Sequence, residues 1–149
     1  MFRRALLFLL VVWQVNSFAQ TGFTDVAPTA GIDFVAVFSD PEFTAQGGVA
    51  WFDYDGDKDE DLYLTGGRSS DALFRNNGNG TFTDVTQIAG FTSMDTSIFT
   101  IGVVTGDVDN DGFREVFIST QDTDDNYLFY NNGDGTFTDI SASAGVDQG

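Results

Sequence analysis

Residues 47–65, GGVAWFDYDGDKDEDLYLT, decide the fold: a short apolar run enters a loop with acids at alternate positions, and a second apolar run leaves it. Asp53, Asp55, Asp57, Asp59 and Asp61 fall at loop positions 1, 3, 5, 7 and 9. In a chain that curls about a centre, such alternate residues point at one spot. Hard divalent cations favour that spot: Ca²⁺ takes roughly 6–8 oxygens at about 2.3–2.6 Å in a flexible shell, which carboxylates, a backbone carbonyl and water supply. Without a cation, carboxylates about 4 Å apart repel one another by roughly 1–4 kcal/mol at effective dielectrics between about 80 and 20. The bare loop is therefore expected to be strained or mobile.

Residues 106–119, GDVDNDGFREVFIS, repeat the design, with Asp107, Asp109, Asp111 and Glu115 at positions 1, 3, 5 and 9. A single Asp-rich loop reads equally well as a solvated turn, because turns favour Asp, Asn and Gly. Duplication of the spacing and of both flanking apolar runs selects the metal loop. An EF-hand sensor needs a bidentate Glu at position 12, and the two loops carry Leu64 and Ile118 there. The acidic run Asp122–Asp125 has no acid at its ninth position and reads as a solvated loop.

A search for self-similarity turns one domain into an array. Residues 80–86 (GTFTDVT) match 135–141 (GTFTDIS) and, more briefly, 22–26 (GFTDV), which gives a unit of about 55 residues. Each unit predicts four strands: 48–52, 61–65, 72–75 and 81–86 in the first, then 101–104, 115–119, 127–130 and 136–140 in the second. The last two strands of each unit flank NNGNG or NNGDG, and Asn-Gly pairs supply the positive φ of tight hairpins. Four antiparallel strands per unit is the count of a propeller blade. Gly47, Gly48 and Ala50 suit an innermost strand crowded near an axis, and Trp51 and Phe52 read as core. The expected fold is all-β: a partial β-propeller of about two four-stranded antiparallel blades, with the acidic loops between first and second strands.

The two ends carry different signals. Residues 1–4 are basic, 5–13 form a nine-residue apolar run, and Ser17-Phe18-Ala19 offers small residues where a signal peptidase cuts. Export with cleavage after Ala19 is expected, since a span needs about 20 apolar residues, and no other stretch approaches that length. The expected organisation is a signal peptide at 1–19, an N-terminal segment with a ring-closing strand at 20–46, and blades at 47–91 and 92–149. Two blades leave a face and edges uncovered, so further blades of a longer chain are expected partners. Residues 32–42 have no counterpart in the second unit.

Charge bounds the partners. The chain carries 6 basic and 23 acidic residues; without Arg3 and Arg4 the balance is 4 − 23 = −19, and two calcium ions leave −15. Phosphate backbones are bound by neutralising Lys and Arg, so a nucleic-acid partner is not expected. Cysteine is absent, and metal loops are the expected local staples in place of disulfides. Histidine is absent as well, which removes His-based triads and thiol nucleophiles from this segment.

The combination of NNGxGTFTD with DxDxD loops between strands resembles the VCBS/FG-GAP repeat proteins, whose blades are similar to those of the integrin-α propeller. That resemblance implies side-chain ligands at positions 1, 3, 5 and 9 and a backbone carbonyl at 7. Carried over, these are Asp53, Asp55, Asp57 and Asp61 with the Asp59 carbonyl, and Asp107, Asp109, Asp111 and Glu115 with the Phe113 carbonyl. Two Ca²⁺ sites follow. The opening GFTDVAPTAGIDF resembles secreted members with a later ASPIC/UnbV-type domain. Two departures stand out: Lys58 occupies position 6 where the second loop has Gly112, and Glu115 is one methylene longer than Asp61. The resemblance implies a calcium-binding, calcium-stabilised extracellular module for adhesion or recognition of a protein or glycan, non-catalytic in this segment. The alternative is part of a secreted propeller enzyme acting on polysaccharide, using paired carboxylates.

Overall fold

The computed structural model describes residues 24–37, 47–92, 94, 98–121 and 125–147. All eight expected strands form within them, with ends shifted by one or two residues. The first sheet comprises β1 (Val49–Phe52), β2 (Asp61–Leu64), β3 (Ala72–Asn76) and β4 (Phe82–Asp84). The second comprises β5 (Thr100–Gly106), β6 (Glu115–Thr120), β7 (Tyr127–Asn131) and β8 (Phe137–Asp139). Both are antiparallel meanders in chain order, as consecutive propeller blades are. In each terminal hairpin an Asn side chain accepts the backbone N–H of the Gly two residues on, at 3.0 Å, and both Gly have positive φ: Asn76 with Gly78, Asn131 with Gly133.

Strand alternation decides what each face covers. On the first sheet Phe52, Tyr63 and Leu73 face the second sheet, which answers with Val116, Ile118, Tyr127, Phe129 and Phe137. Phe91, from the link between sheets, sits at the centre, with ring centroids 4.6 Å from Phe129, 4.8 Å from Phe137 and 5.1 Å from Tyr63. Burying each such side chain contributes roughly 1.5–3 kcal/mol, so the interface between sheets is the main core. The other face of the first sheet, with Leu62, Ala72 and Phe74, is covered by Ile32 and Phe34. Residues 32–37, unplaced by sequence, are thus the cover of that face, and Val37 bridges Gly67.

The innermost strands meet closely, as their small residues predict. A Cβ at Gly48 would lie 2.7 Å from the backbone nitrogen of Val103, so only glycine lets β1 approach β5. Trp51 differs from expectation: it is 53% exposed, its edge against Phe82, whereas Phe52 is buried. Adjacent residues on a strand point to opposite faces, and only the Phe52 face is closed by the second sheet.

Two short helices, α1 (Ala27–Ala30) and α2 (Ser141–Ala144), were not foreseen. Both follow a Phe-Thr-Asp repeat, whose Asp accepts a backbone N–H two residues on in all three copies: Asp25 from Ala27, Asp84 from Thr86 and Asp139 from Ser141. The turn after β4 then latches the next sheet, where Phe137 N–H donates to Ala89 C=O at 2.7 Å. Thr24–Val26 form no strand. The expected signal peptide, Gly22 and Phe23 of the expected ring-closing strand, and residues 38–46 lie outside the described residues.

Candidate metal centres

Both acidic loops leave the end of an inner strand and fold by the same hydrogen bonds. In the first, the carboxylate of Asp53 accepts Gly56 N–H (2.8 Å) and Lys58 N–H (2.9 Å), and Asp107 accepts Asn110 (2.7 Å) and Gly112 (3.1 Å) in the second. Asp55 accepts Asp57 N–H and Asp57 accepts Asp59 N–H; Asp109 and Asp111 do the same for Asp111 and Phe113. These bonds wind the backbone so that the acids converge. Carboxylate oxygens of Asp53, Asp55 and Asp57 lie within 4.8 Å of one another, and so do those of Asp107, Asp109 and Glu115. Each triad is a group able to hold a metal ion.

The remaining expected ligands sit differently. Asp61 is buried and outside its triad, with Oδ1 accepting Asn76 N–H (2.8 Å) and Oδ2 accepting Tyr54 N–H (3.0 Å). Burial pushes its carboxyl up to about 6, with the charges of Asp55 and Asp57 adding and the two N–H donors opposing. Asp111 is exposed beside its triad. The Asp59 side chain lies against the hairpin, where a Cβ at Gly78 would be 2.7 Å from Oδ2, and the Phe113 ring lies likewise against Gly133. At position 7 the side chain therefore serves the hairpin in both loops, which leaves the backbone as the group that position can offer to an ion.

Glu115 is the exception in the hydrogen-bond pattern. Its Oε2 accepts Val108 N–H at 2.8 Å, as Asp61 does from Tyr54, but Oε1 is buried with no hydrogen-bond partner, the one such side-chain atom among the described residues. Buried polar atoms are nearly always paired, so an orphan calls for a partner. Sequence reasoning missed two supports of this site. The phenol of Tyr130 lies beside Asp109, whose carboxylate raises the phenol above its usual range, and the buried amide of Asn131 spans both loops; the repeat alignment, which equates Asn131 with Asn76, was the available signal. At the opposite end of the first sheet, buried Asp71 accepts from Tyr63 OH, Gly66 N–H and Thr100 OH at 3.0, 2.8 and 2.6 Å, tying the sheets together. Burial raises its carboxyl above the usual range.

Among the described residues no helix is long and apolar enough to cross a membrane. A family model described as an FG-GAP-like repeat matches residues 53–118 and 107–148. Each match opens on the first acid of a loop, and together they span more than half of the 149 residues. No curated protein matches the chain.

Proposed function

The chain belongs to the FG-GAP-like repeat family, and on that premise we propose that it is a calcium-binding, calcium-stabilised extracellular module for adhesion or recognition, without catalysis in this segment. The observation that carries the calcium reading is the orphaned Oε1 of buried Glu115 beside the carboxylates of Asp107 and Asp109. A cation is the partner that satisfies a lone carboxylate oxygen and relieves the repulsion of its neighbours. The donors are all oxygen, with neither thiol nor imidazole in the chain, which suits a hard ion. Their exposed, adaptable loops fit the tolerant shell of calcium better than the strict octahedron of magnesium. Asp53, Asp55 and Asp57 hold one ion, with Asp61 and the Asp59 carbonyl completing the shell. Asp107, Asp109 and Glu115 hold the other, with Asp111 and the Phe113 carbonyl.

The outer face of the second sheet supports further blades. Tyr63, Leu73, Val85 and Ala89 of the first unit are buried beneath the second sheet. Their repeat equivalents Phe117, Leu128, Ile140 and Ala144 remain partly or fully exposed, as do Val104 at 61% and Val108 at 69%. A third sheet packed as the second packs on the first covers them. Export rests on residues 1–19 and fits a domain stapled by ions: at ~1 mM calcium and a dissociation constant of ~0.1 mM, each site adds about 1.4 kcal/mol.

Calorimetric titration of the chain with calcium chloride tests the assignment. Two ions per chain are expected, and Asp55→Ala and Asp109→Ala each remove one. Absence of binding at millimolar calcium overturns it.

A further inference from the structure

We propose that the two acidic loops are coupled through Asn131 and Phe113, so that an ion in one loop raises the affinity of the other; this rests on the calcium reading above. Asn131 is fully buried, and its Nδ2 donates both to Tyr54 C=O (2.9 Å) and to Arg114 C=O (3.4 Å). Tyr54 lies between Asp53 and Asp55 of the first loop; Arg114 lies between Phe113 and Glu115 of the second. One side chain therefore fixes the backbone of both loops beside their ligands. Asn76, its repeat equivalent, bonds the exit of its own loop through Glu60 C=O at 3.1 Å.

Phe113 makes the second link. A Cβ at Gly56, in the first loop, would lie 3.3 Å from Phe113 Cε1, and a Cβ at Gly133 would lie 3.0 Å from Cε2. The ring thus fills the gap between the first loop and the hairpin that carries Asn131. Its repeat equivalent Asp59 lies against its own hairpin at Gly78. The Tyr54 ring extends the contact, stacked on Phe137 with centroids 6.1 Å apart.

An ion in the first loop holds Tyr54 and Gly56 in place, and with them the acceptor of Asn131 and the seat of the Phe113 ring. The second loop then closes on groups already ordered, which is positive coupling by shared ordering. The reverse holds by linkage. Repulsion between the two bound dications acts the other way and is screened at roughly 0.15 M salt, where the Debye length is about 8 Å.

The test is calcium titration calorimetry of the full chain in that salt, comparing site-two affinity with and without Asp55→Ala in three backgrounds. In the otherwise native chain Asp55→Ala is expected to weaken the second site about fivefold or more, the usual scale of coupling. In Asn131→Ala, and independently in Phe113→Ala, the same substitution is expected to change it less than about twofold. Phe113→Ala keeps the backbone carbonyl and leaves the test intact where Asn131→Ala does not fold. An unchanged second site in the native background overturns the coupling while leaving calcium binding standing. An equal loss in all three backgrounds also overturns it, since charge alone then accounts for the effect. No binding in any background overturns the calcium assignment itself.

Discussion

Asp61 and Glu115 occupy the same position in the two loops, yet Asp61 has both oxygens hydrogen-bonded to backbone while Glu115 leaves Oε1 without a partner. The difference is one methylene. The shorter Asp61 reaches Tyr54 and Asn76; the longer Glu115 keeps the equivalent of the first bond and joins Asp107 and Asp109. The second site is therefore the one that leaves a buried carboxylate oxygen unsatisfied without a metal.

Glu115→Gln separates these costs. It removes a charge from a buried cluster, so the metal-free protein is expected to gain about 1–3 kcal/mol, read as a higher urea midpoint in chelator. Calcium affinity at the second site is expected to fall at least about tenfold, one unit charge in a partly buried cluster being worth over 1.4 kcal/mol. A variant with unchanged affinity removes Glu115 from the ligand set.

Lys58 adopts φ +77°, the left-handed conformation that Gly112 holds at +96° in the second loop. A side chain there costs about 1 kcal/mol relative to glycine. Lys58→Gly is expected to stabilise the protein by about that amount and to tighten the first calcium site severalfold, measured by thermal unfolding and calorimetry. A destabilised variant contradicts the assigned strain.

The acid response is expected to reverse with calcium. Asp55, Asp61 and Asp71 all have carboxyls raised by burial, Asp61 to about 6. A raised folded value means the native state binds more protons than the unfolded chain, so the stability contribution of these groups falls as pH rises through that window. In chelator, stability is expected to rise as pH drops from about 7 to about 5. In calcium it is expected to fall, because protons compete for the ligand oxygens. Urea midpoints across pH, with and without calcium, check both signs.

Asp71→Ala leaves the buried hydroxyls of Tyr63 and Thr100 and the Gly66 N–H without their acceptor. A loss of about 2–4 kcal/mol is expected, from stranding several buried donors. Calcium stoichiometry is expected to stay at two, since this clamp lies at the far end of the sheets from the loops. Loss of an ion in this variant contradicts that independence.

Much of the fold is legible from local pattern. Strands 115–119 and 127–130 stand out because apolar runs bounded by acids and Asn-Gly turns admit few alternatives, and the 54-residue offset from Asp53 to Asp107 aligns the two sheets. Glycines 47 and 48 signal close approach for the same reason. The short helices escape notice because four-residue turns such as Ala27–Ala30 carry no periodicity to detect. Cover of Leu62 and Phe74 by Ile32 and Phe34 is a tertiary contact with no repeat to copy. In the loops the acids are evident from spacing. Which of them converge depends on side-chain length at position 9 and on the backbone donors that claim Asp61.

The most direct measurement is a crystal structure grown in millimolar calcium chloride, with an anomalous difference map. Two peaks are expected, one inside each loop, each ringed by roughly 6–8 oxygens at about 2.3–2.6 Å, with Glu115 Oε1 among those of the second. Loops empty at that calcium concentration, with Asp53, Asp55, Asp107 and Asp109 turned to solvent, contradict it.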